Sequence, residues 1–371
     1  MSLIEKLNEW LIARSPVYLL EFSGKNMRWC EGSWKDNNFD IRRLQPAEIV
    51  YESTQPDALP DIASTVKQLR AISGYRFPFE KHVAIILPDH FFTFGSFQVP
   101  AVAARSGLQA FLEREIHKTT TLSFKDFHVR YEFGEKRENR IPVQYCAISK
   151  IRMQTLFKIT ELSGIVPVSV QPAFTGLTRA LRAANVDARH PSVFVHLGEK
   201  TTTTGIFNRE GLLAIHTIDR GVNDLLLAVK TAHNCNNEEA LNKLTDEIVL
   251  LEDPNCEAQG EIETYQNIEA VLIDLLQKIY GFLLLFSNDH PEESGFLKII
   301  LSGEGTKIRN IDRLINANLG IPTTFFRSEI DTMVSALSLP EKETASTIAT
   351  LLGNLMLAPW QLERYDRIMA A

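Results

Sequence analysis

The sequence predicts an α/β fold made of two similar halves, and three observations carry that expectation. The run from Val17 to Cys30 reads as strand, turn at Ser23 and Gly24, strand. A second run, Val193 to Phe207, repeats the pattern about 175 residues later with Gly198 as its break, and self-similarity is itself a fold signal. Elsewhere, short apolar runs rich in β-branched residues alternate with segments of helical periodicity, as in layered α/β proteins. Taken alone, the stretch 192–220 also fits an ordinary β-meander. Thr201 to Phe207 is β-branched or aromatic apart from Gly205, Asn208 to Gly211 is a turn, and Leu212 to Ile218 is a third strand.

At 371 residues the chain is too long for one compact core and suggests two or more domains. Its hydrophobic and charged fractions, 44% and 23%, are ordinary for a soluble globular protein. A net charge of −7 gives no basic footprint, so nucleic acid is not expected as a partner. Cys30, Cys146, Cys235 and Cys256 are scattered without paired spacing and read as free thiols of a reducing compartment. His233 and Cys235 supply at most half of a metal site, and no metal is expected. Met1 to Arg14 is amphipathic, with Leu3, Ile4, Leu7 and Leu11 at helical spacing, and it lacks the apolar core of a signal peptide. It reads as a helix packed on its own domain; a partner-binding or membrane-surface helix is the alternative. The most apolar helix, Ile268 to Phe286, is interrupted by Asp274, Gln277 and Lys278, so no transmembrane span is expected.

In chain order, residues 31–56 look polar and turn-rich. Asp57 to Ser73 is a helix with Ile62, Val66, Leu69 and Ile72 on one face. Val83 to Leu87 is a buried strand closed by Pro88. Phe91 to Val99 alternates as a strand, Ala101 to His117 is helical, and Phe127 to Phe133 and Ile141 to Ser149 are strands joined by a charged turn. With the helix Lys150 to Ser163, ended by Gly164, these make a small α+β module. Val166 to Val170 is a strand and Gln171 to Ala184 a helix. Helices follow over 221–234, 236–251 and 261–286. Phe296 to Leu301 is a buried strand running into Ser302 to Thr306, followed by a helix 308–318, a short strand Ile321 to Phe325 and a helix Thr344 to Leu357.

Three segments stand in a specific order: Glu21 to Lys25, His196 to Thr203, and Leu301 to Leu314. Together they resemble the two phosphate loops and the adenosine loop of the actin-like ATPase superfamily, where backbone amides hold nucleotide phosphates. Within it, the chain is most similar to the PilM family of type IV pilus assembly and to the cytoplasmic part of GspL from type II secretion. Phe94 to Pro100 is like the strand leading into that family's inserted module. Leu162 to Pro167 is like its LAGL-x-P link, Arg220 to Asp224 like its x-GG-x-x, and Glu238 to Leu244 like the helix that follows. FtsA of cell division is similar too, but its inserted module sits differently and its basic C-terminal membrane helix is not evident here.

The resemblance implies an actin-like ATPase fold with an N-terminal helix at 1–16 and a first half at 17–190 carrying an inserted module at 79–164. It implies a second half at 191–343 with a helical subdomain at 222–292, and a closing helix and tail at 344–371. It puts a nucleotide cleft at Ser23, Gly24, Lys25, Gly198, Glu199, Lys200, Thr201, Gly303, Glu304 and Gly305. The chain departs from the family pattern where the chemistry lies. The family carries aspartate where this chain has Glu21, glycine where it has Ser23, aspartate where it has His196, and a further glycine where it has Glu304. Those aspartates position Mg²⁺ through its waters, and a neutral imidazole is a poor substitute for oxygen ligands. The cleft is therefore expected to be vestigial, with no catalytic residue and no cofactor. Bound ATP and Mg²⁺, in an active ATPase or kinase, is the alternative.

By the same resemblance the chain is a scaffold, cytoplasmic and peripheral at the inner membrane, in a pilus or secretion platform. Its expected partner is the cytoplasmic tail of a PilN-type or GspM/GspL-type bitopic protein, held as extended peptide beside the inserted module. Phe92, Phe94, Phe97 and Phe127 are the candidate lining. The motor ATPase of the machine and a second copy of the chain are further candidate partners. Asn354 to Arg367 resembles the tail motif of PilN itself, Asn-Leu-Leu-Pro-Trp, with Met356 and Ala358 as extra residues. It reads either as a closing helix with a polar tail or as the approach to a membrane anchor beyond Ala371.

Overall fold

In a computed structural model, the protein's described residues are 17–356 apart from 25, 36–37, 52–59, 75–80, 101–107, 120–123, 134–139, 185–189, 209–210, 249, 251–258, 292–294 and 331–343. The chain starts with strands Val17–Ser23 (β1), Asn26–Lys35 (β2) and Asn38–Glu48 (β3), then helix Ile62–Ser73 (α1) and strand Lys81–Leu87 (β4). Strand Phe92–Pro100 (β5), helix Leu108–Thr119 (α2) and strands Phe127–Phe133 (β6) and Arg140–Ser149 (β7) follow. Helix Lys150–Leu162 (α3), strand Ile165–Pro172 (β8) and helix Ala173–Ala183 (α4) lead to the second hairpin. That region holds Ser192–Leu197 (β9), Thr202–Phe207 (β10) and Leu212–Ile218 (β11), then helices Val222–His233 (α5), Asn237–Asn242 (α6) and Gln259–Asp289 (α7). Ile299–Ser302 (β12), Ile311–Leu319 (α8), Thr323–Phe325 (β13), Phe326–Glu329 (α9) and Ala349–Leu355 (α10) complete it.

The internal repeat is a repeat of topology. One five-stranded sheet has the order β3-β2-β1-β4-β8 and the other β11-β10-β9-β12-β13. In each, three antiparallel strands come first and two parallel strands are added on the far side of the opening strand. The central strands β1, β4, β9 and β12 are almost wholly buried, which is why they read as continuous apolar runs. The third sheet, β5-β7-β6, is antiparallel and stands apart.

Two helices cross between the halves. Cβ atoms placed on Gly176 of α4 and Gly353 of α10 would lie 2.1 Å and 1.6 Å from backbone oxygens of the opposite helix, so only glycine permits this approach. Arg179 donates to the Gly353 carbonyl (3.2 Å) and Asn354 Oδ1 (2.9 Å), fixing the crossing. Around it lies a core shared by both halves, including Leu19, Ala84, Leu177, Phe194, Ile300, Phe326 and Leu352. A second core joins α5, α7 and α8 to the second sheet. Within α7, Tyr265–Asp289 is long and apolar enough by composition to cross a membrane, with mean hydropathy 1.7. Here Ile268, Leu272, Leu275, Ile279 and Leu283 are buried in that second core.

Several sequence expectations are corrected. Residues 31–56 include the second half of β2 and all of β3, which the reading as turns missed. β3 is an edge strand whose Asp40 and Arg42 face solvent while Phe39 is buried, so its mixed polarity hid the alternation. Helix α1 starts at Ile62 rather than Asp57, because Asp61 caps it by accepting the Ser64 N–H at 2.8 Å. β4 pairs with β1 and β8 in the first sheet, so the separate module sheet begins at Phe92, well after residue 79. α3 packs beneath the same first sheet, with Met153, Leu156 and Ile159 in its core. The strand β8 runs on to Pro172 before α4 begins, and the segment 236–251 holds a short helix and a π turn in place of one long helix. The closing helix is shorter than 344–357, running Ala349–Leu355 after a turn. The N-terminal helix 1–16, residues 101–107 and the tail motif from 357 onward lie outside the described residues.

Candidate functional site

The cleft lies where the turns of the two opening hairpins meet the loop after β12. Gly24, at the first turn, has φ +53°, and a Cβ there would sit 1.7 Å from Glu199 Oε2. Glu199, in the second turn, also accepts from Asn26 Nδ2 at 2.7 Å. Tyr51 donates to the Gly24 carbonyl at 2.5 Å, and Lys200 lies over the Tyr51 ring at 4.9 Å. Burial, helped by Glu199, pushes the Tyr51 hydroxyl up to about 12. The second turn is anchored from behind: Gly198 and Glu199 carbonyls accept from Val222 and Asn223 at the start of α5, at 3.0 and 2.9 Å. Ser23 lies in β1, Thr201 follows Lys200 into β10, and Lys25 lies outside the described residues.

Deeper in the cleft is a chain of charges. Glu21 on β1 and Arg28 on β2 are direct cross-strand partners, 3% and 5% exposed, with Arg28 Nη1 3.1 Å from Glu21 Oε2. The other guanidinium nitrogen, Nη2, pairs with Glu304 Oε1 in the second half, and Glu304 Oε2 accepts from Lys307 at 2.6 Å. Thr350, on the crossing helix α10, donates to the second oxygen of Glu21. Burial alone would raise Glu304, but Arg28 and Lys307 outweigh it and hold its carboxyl below the usual range. Glu304 is thus held ionised by protein cations.

His196 stands on β9 in register with Ser302 on β12, and its Nδ1 shares a hydrogen bond with Ser302 Oγ at 3.0 Å. Burial lowers its pKa to about 4 against the raising effect of Glu304, so the imidazole is neutral at physiological pH. Gly303 donates its N–H to the Ser346 carbonyl at 2.8 Å, and Gly305 packs against Leu197. The structure therefore brings Gly24, Glu199, Lys200, Gly303, Glu304 and Gly305 around one cleft, together with His196.

Sequence reasoning missed three members of this site. Arg28 was read only as part of a strand; its signal was a cation among inward positions, opposite Glu21. Thr350 was read only as a helix residue. Asp89, after β4, is buried and accepts the Phe174 N–H at 3.1 Å, the Ala173 N–H and the Thr203 hydroxyl, linking the first half to β10 of the second. Burial pushes its carboxyl up to about 6 despite these hydrogen bonds.

The four phenylalanines do not gather into one lining. Phe92 and Phe94 stack at 5.9 Å, and Phe94 meets Phe174 edge-on at 5.1 Å. Phe97 points to the opposite face of β5 and packs with Val99, Val143 and Phe111 in the module's own core. Phe127 starts β6, opposite Ser149.

In this arrangement the residues do not fit a magnesium nucleotide. Glu21 is engaged by Arg28 and Thr350, Glu304 by Arg28 and Lys307, and Glu199 fills the space against Gly24 where the two turns converge. A neutral His196 adds no hard oxygen ligand.

Two matched half-sheets, crossing helices and a cleft between hairpin turns define an actin-like ATPase fold, and the fold is PilM-like. The chain is similar to a chain of the "PilM-PilN type IV pilus biogenesis complex", with 14% identity, 92% of this chain and 98% of that one covered, and a TM-score of 0.74. It is also similar to MreB5 of Spiroplasma citri bound to AMPPNP, with 11% identity, coverage of 95% and 99%, and a TM-score of 0.53. The ethanolamine utilization protein EutJ from Carboxydothermus hydrogenoformans gives 11%, 92%, 89% and 0.50. At these identities the likeness is one of fold. No protein-family model matches the chain, and no curated protein matches it.

Proposed function

We propose that this chain is a non-catalytic scaffold of a type IV pilus or type II secretion platform, on the cytoplasmic face of the inner membrane. Its role there is to hold the cytoplasmic tail of a bitopic membrane protein of the PilN type. The observation that supports the non-catalytic part is the Glu21–Arg28–Glu304–Lys307 chain, which crosses the cleft with protein charges where actin-like ATPases hold phosphates and Mg²⁺. The platform role rests on the likeness to the PilM chain of a PilM–PilN complex. The tail is proposed to lie along the module face that carries Phe92 and Phe94, next to Phe174. Phe97 and Phe127 are left out of the lining because they do not share that face.

The test is binding of a labelled peptide from the cytoplasmic end of the bitopic protein encoded nearest to this chain, followed by fluorescence anisotropy. Saturable binding, weakened at least tenfold by Phe92→Asp, is the expected result. Absence of binding, or binding indifferent to Phe92→Asp but abolished by changes in the second half, would remove this reading.

A further inference from the structure

The module sheet ends in an open strand. Among the described residues β6 pairs only with β7, in an unbroken register from Phe127 opposite Ser149 to Phe133 opposite Val143. It contains no proline, no lysine and no bulge, the usual devices that blunt an edge. The apolar face of the sheet is capped by Phe111 of α2 over β5 and β7, around Val99 and Val143. Over β6 no described residue caps that face as Phe111 does over β5 and β7: Tyr131 and Phe133 are 41% and 45% exposed, their rings T-shaped at 5.5 Å. Among the described residues, the terminal strand of the sheet thus lies beside an exposed aromatic ledge.

We propose that β6 pairs antiparallel with β6 of a second copy of this chain, about a two-fold axis at Tyr131, to give a continuous six-stranded sheet. This goes beyond the scaffold reading and does not depend on the cleft or the tail. The occupant is argued from the strand's own sequence, Phe-His-Val-Arg-Tyr-Glu-Phe over 127–133. A two-fold at Tyr131 sets Arg130 of each copy opposite Glu132 of the other, twice. The same register sets Val129 opposite Phe133 and Tyr131 opposite itself, all on the face where the ledge is exposed. The neighbouring registers are worse. A two-fold at Arg130 or at Glu132 opposes like charges, and one at Val129 sets His128 against Arg130. A slip of one residue between the strands moves the aromatic ledge to the wrong face. A closed two-fold contact of this kind uses one patch twice and stops at two copies.

The experiment is sedimentation equilibrium on the 371-residue chain with four variants, each checked for native melting. The wild type is expected to dimerise, more weakly at high salt. Arg130→Glu alone or Glu132→Arg alone puts like charges at both positions and should weaken the dimer about tenfold. The double exchange Arg130→Glu with Glu132→Arg should restore it. Independently, Tyr131→Cys should crosslink to a covalent dimer under mild oxidation where the wild type does not. Opposed Cα atoms in an antiparallel pair lie about 4.5–5.5 Å apart, within disulfide reach. A chain that stays monomeric, including one whose β6 edge takes an added peptide from another protein, overturns the proposal. So does a dimer that is indifferent to both single reversals, or a Tyr131→Cys variant that forms no crosslink.

Discussion

Arg28, from the first hairpin, binds Glu304, from the loop after β12, and so bridges the two halves of the fold through the centre of the cleft. The same guanidinium holds Glu21, its cross-strand neighbour, at 3.1 Å. A cation that would otherwise be available to an anionic ligand is satisfied within the protein. The consequences can be measured.

Removing Arg28 should leave two buried carboxylates without their shared cation. Arg28→Met is expected to cost ~3–5 kcal/mol, the range for breaking a buried ion pair from one side. Replacing Glu21 by Gln in the same chain should recover part of that loss, because one stranded charge is removed. Urea unfolding of the single and double variants measures both. A loss under ~1 kcal/mol for Arg28→Met would put this network with exposed surface pairs.

If Glu304 and His196 are what excludes nucleotide, reversing them should admit it. The combined substitutions His196→Asp and Glu304→Gly remove one carboxylate from Arg28 and put an oxygen ligand on β9. The expected outcome is a rise in melting temperature with Mg-ATP that the unmodified chain does not show. An equal response from both proteins would mean that these two residues do not control the cleft.

The halves were legible in the sequence because hairpins announce themselves locally. Val17 to Cys30 and Val193 to Phe207 each place a glycine turn between apolar runs, and both appear as paired strands. The parallel strands β4 and β12 were legible as unbroken apolar runs, since both of their faces are buried. β3 was not, because a solvent-facing edge strand carries charges that look like a loop. The site was half legible. The turn residues and Glu304 follow from the motif order, but Arg28, Thr350 and Asp89 come together only through pairing across 276, 329 and 85 positions of sequence. No local pattern encodes that. The phenylalanines show the converse: four aromatics close in sequence around one module divide between its two faces and a strand end.

His196 should make stability depend on pH. Its pKa is near 6.5 when unfolded and about 4 when folded. Folding therefore disfavours its protonated form. The contribution is fully present above pH 6.5 and is lost as pH falls through 4. His196→Asn should remove about one proton's worth of that slope between those limits, leaving the opposite trend of Asp89, whose carboxyl is raised to about 6. Chemical denaturation at intervals from pH 4 to 7 checks it as the difference between variant and wild type, since Asp89 contributes equally to both. Parallel profiles for the two proteins would show that His196 does not titrate in this way.

The contact between the two turns offers a steric test. Gly24→Ala forces a methyl group against Glu199 Oε2, at a backbone φ of +53° that disfavours side chains. The expected cost is ~1–3 kcal/mol, typical of overpacking. Glu199→Ala in the same chain should return the steric part and leave the backbone part, so the two changes should be non-additive in a double-mutant cycle. Additive losses would mean that the turns do not touch.

The most direct measurement is isothermal titration calorimetry of the unmodified chain with Mg-ATP. With Arg28, Glu21, Glu304 and Lys307 bound to one another across the cleft, no binding heat is expected at nucleotide concentrations in the micromolar range. A saturable isotherm with micromolar affinity would show that the ion chain yields to phosphate, and would contradict the reading of this chain as a scaffold without nucleotide chemistry.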